Sequence, residues 1–110
     1  MDVVRSEWAG FFDRLSNDHL GDQVEIEVLD PDLGDQLEVA RMPFGTAAYD
    51  AREDTVVVTV GQPVTMRHMV TNPTEIDVAT PAPMETVVRV AAPDATTLVH
   101  FYPTPELPAR

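Results

Sequence analysis

Three histidines, His19, His68 and His100, are the side chains whose ordinary pKa lies near neutral pH, and each could also bind a metal. They fall in separate segments with neither HxH nor HExxH spacing, so a zinc site would need them to converge in space with an Asp or Glu. His68, beside Arg67 in the least regular stretch, is the one that local pattern explains least. The serines are Ser6 and Ser16, both within one helical pattern and outside any GxSxG elbow. There is no P-loop and no GxGxxG. Asp30-Pro31-Asp32-Leu33-Gly34-Asp35 has a calcium loop's composition without its spacing. Gly stands fifth instead of sixth, and Arg41 takes the twelfth place, where a bidentate Glu is required. The absence of cysteine excludes disulfides, thiolate metal sites, iron–sulfur clusters and a Cys nucleophile. No catalytic set, cofactor site or metal site emerges, and a non-enzymatic role is the expectation.

What remains is charge. The 110 residues include 19 acids and 7 basic residues, all arginine, for a net charge of −12 and a pI near 4.3. Binding to nucleic acid or to an anionic membrane surface rests on Lys and Arg, so neither partner fits. From Asp18 through Glu38 there are acids and no positive charge. If the first two strands pair as a hairpin, Glu25, Glu27 and Glu38 share its outer face. Such a face would steer a basic protein partner. A second candidate site is a pocket between helix and sheet near Phe44, Tyr49 and His68, suited to a small-ligand binder or a minor enzyme.

These residues need elements to hold them. Trp8, Phe11, Phe12 and Leu15 recur at helical spacing over about 6–19, with Ser6 as N-cap and Gly21 as the stop. The period then changes to two. Val24, Ile26 and Val28 alternate with Glu25 and Glu27, and a second strand at 36–42 puts Leu37 and Val39 on one face. Gly45 to Asp50 reads as extended, and Val56, Val58 and Val60 form a strand's inner face. Residues 64–70 fit either a strand or a helical turn. After Asn72-Pro73 comes a short strand with Ile76 and Val78, then a hairpin of 85–91 and 96–102 around Pro93-Asp94-Ala95. The reading is α+β: an N-terminal amphipathic helix followed by six or seven short antiparallel strands. They would form either a small Sm- or SH3-like barrel or a strongly bent sheet. One domain spans 1–110, with a β-rich body at 23–102 and an extended Pro-rich tail at 103–110.

The landmarks also resemble a family of uncharacterised small bacterial proteins known as a domain of unknown function. The likeness runs through Trp8, Phe11-Phe12, Leu15-Ser16, His19-x-Gly21 and Val24-Glu25-Ile26-Glu27-Val28-Leu29. It continues in Gly34-x-Gln36, Pro43-Phe44-Gly45, Tyr49-Asp50, Asp54, His68 and Asn72-Pro73-x-x-Ile76, then Thr97-Leu98-Val99-x-Phe101 and Leu107-Pro108. The resemblance implies a complete domain and no particular reaction, cofactor or partner. The acidic start MDVVRSEW is unlike a signal peptide, and no apolar run could cross a bilayer, so the expected location is cytoplasmic. The leading expectation is an acidic domain that binds protein, or binds itself as a homodimer through its exposed strand edges.

Overall fold

One helix and one eight-stranded antiparallel sheet account for residues 1–103, the part of the chain this computed structural model describes. The elements are β1 (Asp2–Val3), α1 (Trp8–Asp18), β2 (Gln23–Asp30), β3 (Gly34–Asp50), β4 (Thr55–Val60), β5 (Met66–Thr71), β6 (Glu75–Ala79), β7 (Thr86–Ala91) and β8 (Thr96–Tyr102). Across the sheet they run β1-β6-β7-β8-β2-β3-β4-β5. The two end strands do not meet, so the sheet is bent and not closed into a barrel. The expected tail lies outside the described residues from 104 onward.

The bend is made by β3. Its first part, Gly34–Pro43, pairs with β2, and its second part, Phe44–Asp50, pairs with β4. Changing partners along one strand turns β4 and β5 away from the other strands, and the apolar faces meet across the fold. Val24 and Ile26 of β2, Val88 and Val90 of β7 and Val99 and Phe101 of β8 are buried with Phe44, Ala47, Val56, Val58, Val60 and Val70. Trp8, Phe12 and Leu15 of α1 complete this core, as the aromatic stripe predicts. Phe44 meets Phe101 edge to face at 5.0 Å.

Two local expectations need correction. The helix begins at Trp8 with Glu7 in the N-cap position, and Ser6 lies in a preceding 3₁₀ turn, Arg5–Glu7, without capping it. Leu37 and Val39 do not share a face. Val39 is buried opposite Ile26, whereas Leu37 lies opposite Glu27 and is 62% exposed. Between them β3 contributes one residue more than β2, and such a bulge moves all later side chains to the other face. Of residues 64–70, which fit either a strand or a helical turn, those from Met66 onward form strand β5 and the first two belong to the preceding connection. The two-residue β1 is too short to leave a period in the sequence.

Candidate functional site

A bent, open sheet has unpaired strand sides, and the three along β3 and β5 are treated differently here. Beyond Pro43, the side of β3 that has left β2 is covered by α1. The Ser16 hydroxyl accepts a hydrogen bond from the Ala47 N–H at 2.9 Å and donates to the Ala47 carbonyl at 2.8 Å. One helical hydroxyl thereby replaces the missing strand. Over Gly34–Pro43 the other side of β3 is unpaired, but it is broken by two bulges and carries Asp35, Glu38 and Arg41. Bulges and charges are common defences of an exposed edge.

The third side is that of β5, and the pattern around Ser16 fixes which of its groups are free. Because Ala47 turns its N–H and C=O toward Ser16, its partner Val58 turns those groups toward β5, and Val58 and His68 form a hydrogen-bonded pair. The hydrogen bond from the Asn72 N–H to the Asp54 carbonyl, 2.8 Å, extends the same alternation. The backbone groups of Arg67, Met69 and Thr71 therefore point away from β4. The pairing is regular, with no bulge, and no described residue bonds to these groups. Residues 55–74 contain no acid, and the Met69 side chain is 57% exposed.

Beside this edge lies a cleft of 170 Å³, between β5 and the β7–β8 turn. Val28, Val70 and Ala92 give it an apolar lining, and His68, Thr97 and Asp94 give it polar groups. His68 faces inward with Val70, and its Nε2 is 3.4 Å from the hydroxyl of buried Thr97. Burial lowers the His68 pKa below its ordinary value, opposed by the charge of Glu38.

The pocket expected near Phe44, Tyr49 and His68 does not bring those three together. Phe44 is core, and His68 lines the cleft. Tyr49 stands edge-on to Trp8 and donates to Asp54 at 2.5 Å. Donation to that carboxylate is the chief cause of a raised Tyr49 pKa. Arg5 joins the same group, 3.3 Å from Asp54, 4.3 Å from the Trp8 ring centre, and bonded to the Pro73 carbonyl at 3.0 Å. These residues tie the N-terminal segment to the turns on either side of the β4–β5 hairpin.

The expected acidic face is divided as well. Glu25 lies 3.6 Å from the Arg41 Nε, and the Arg41 guanidinium stacks on Tyr102 at 3.7 Å. Glu27 is 3.2 Å from the His100 Nε2. Glu38, displaced by the bulge, has no ion pair among the described residues and lies within electrostatic reach of His68. His19 is paired with Asp22 at 2.7 Å and stacks on Phe101, so the three histidines stay apart. A further acidic group, Asp2, Glu75 and Asp77, is met by Arg89, which bonds to both Glu75 and Asp77 and lowers the Asp77 pKa. The free edge of β5 was missed because strand order and hydrogen-bond direction leave no trace in local periodicity.

The chain belongs to DUF5335, a family of unknown function whose profile matches residues 1–110. It is also similar to an uncharacterized protein of Aquifex aeolicus (strain VF5), 31% identical over 74 residues. That match covers 67% of this chain and 65% of the relative. No solved structure matches the chain significantly. No helix among the described residues is long and apolar enough to cross a membrane.

Proposed function

We propose that this protein is a non-enzymatic protein-binding domain that accepts a partner's strand on the open side of β5. The observation that carries the reading is the regular edge at Arg67, Met69 and Thr71, with outward backbone groups that no described residue bonds. Backbone hydrogen bonds would supply affinity and the flanking side chains selectivity. A second copy of the chain is one such partner, joined edge to edge in a homodimer. The histidines lie apart, and the Ser16 hydroxyl is engaged by the Ala47 backbone.

The test is binding with the edge blocked. Met69→Pro removes an outward N–H while leaving the hydrogen-bonded pairs with β4 in place. Partners recovered from the native host by the parent, or dimers seen in sedimentation, should be lost with Met69→Pro and kept with Ala48→Lys on the outer face of β3. Equal recovery by parent and Met69→Pro would remove β5 from the functional account.

A further inference from the structure

We propose that the strand added at β5 inserts a lysine or arginine side chain into the cleft beside His68. This rests on the strand-addition reading and names what the added strand must carry. A strand bonded to Arg67, Met69 and Thr71 alternates its side chains, sending every second one inward beneath the edge. The first space met there is the 170 Å³ cleft, a volume suited to one long side chain. Its walls are apolar at Val28, Val70 and Ala92, where a methylene stem would pack.

The charged end of that stem has partners. Asp94 lines the cleft and makes no ion pair among the described residues, and Glu38 stands close enough for its charge to reach His68. The Thr97 hydroxyl adds a polar group on the far wall. His68 brings no competing cation, because its burial favours the neutral ring. Arg67, the cation on this strand, precedes the inward-facing His68 and is exposed on the opposite face. The cleft is thus apolar along its walls with the exposed carboxylates of Asp94 and Glu38 near its mouth, and the whole chain has a charge of −12, which favours a basic segment on approach.

Two capped peptides serve as probes: Thr-Thr-Val-Lys-Val-Thr-Thr, and the same peptide with norleucine for lysine, which keeps the stem and lacks the ammonium. Titration into the labelled full chain, followed by amide NMR, should move the Arg67, Met69 and Thr71 resonances. The lysine peptide should bind about five-fold more tightly at low salt, the scale of one partly exposed charge pair. Asp94→Asn should erase that preference and leave norleucine-peptide binding unchanged. Equal affinity of the two peptides at β5 overturns the cation site while leaving strand addition standing. Failure of either peptide to perturb the three amides overturns strand addition itself.

Discussion

Along Gly34–Pro43 the free side of β3 is bulged and charged, whereas along Met66–Thr71 the free side of β5 is regular and acid-free. Among the described residues both strands lack a neighbour on one side, but the first has two bulges and three charged residues against pairing with another chain, and the second only the charge of Arg67. A third exposed side, at Ala47, is closed by the hydroxyl of Ser16. Of these three sides, one is guarded, one is capped and one is left open, while the far end of the sheet is the two-residue β1. The difference supports the proposed binding surface better than the acidic composition does, because the acids are spread over faces where Arg41, His100 and Arg89 meet them.

Removing the helical cover should have the largest effect. Phe12 is buried in the core beneath α1, and Phe12→Ala should cost about 3–5 kcal/mol in urea denaturation. A loss below about 1 kcal/mol would place the aromatic stripe outside the core. Ser16→Ala tests the capped edge alone: two backbone groups of Ala47 lose their partner, and the expected cost is about 1–3 kcal/mol. No measurable loss would mean that water replaces the hydroxyl and that this edge is open too.

For the open edge the contrast is between neighbours. His68→Pro removes a hydrogen bond to β4 and should destabilise the fold strongly, while Met69→Pro should cost clearly less. Similar losses in thermal melts would show that the outward direction assigned to Met69 is wrong. Acidification probes the same strand. Because burial holds the His68 pKa below its unfolded value, the unfolded chain binds the extra proton first. His68 therefore lowers stability as pH falls through about 6.5 toward its native pKa. His68→Gln should flatten part of that slope in urea midpoints compared between neutral and mildly acidic pH, and an unchanged slope would make His68 an ordinary exposed histidine. The smallest effect expected is that of salt. Screening of a −12 chain over a Debye length of about 10 Å should raise the melting temperature modestly as NaCl increases from low concentration. A flat curve would show that the local pairs already compensate the acids.

Wherever side-chain period decides structure, the sequence was readable. The stripe Trp8, Phe12 and Leu15, the inward valines Val56, Val58 and Val60, and the hairpin around Pro93-Asp94 all follow from spacing and turn chemistry. The choice between barrel and bent sheet was not readable, since it depends on β3 exchanging β2 for β4 near Pro43 and Phe44. Leu37 fell on the wrong face because a bulge adds a residue without marking its type. The candidate site was legible only in part. His68 stood out as unexplained and does line the cleft, but the expected pocket between helix and sheet does not bring Phe44 and Tyr49 to it, since Phe44 is in the core and Tyr49 packs on Trp8. In the sequence Ser16 is only a serine within the helical pattern, and its role follows from Ala47 being beside it.

Since the same seventeen-residue strand is half of the β2–β3 hairpin and half of the β3–β4 hairpin, neither hairpin has a private backbone. Opening one frays a strand of the other, so amide hydrogens on both sides of Pro43 should exchange with solvent as a single cooperative unit. The same sharing makes insertions unequal in their consequences. An added residue in the loop at Pro31–Leu33 lengthens a turn. One added near Phe44–Gly45 reverses which side chains of a whole hairpin face inward, and a frame of alternating valines becomes a surface.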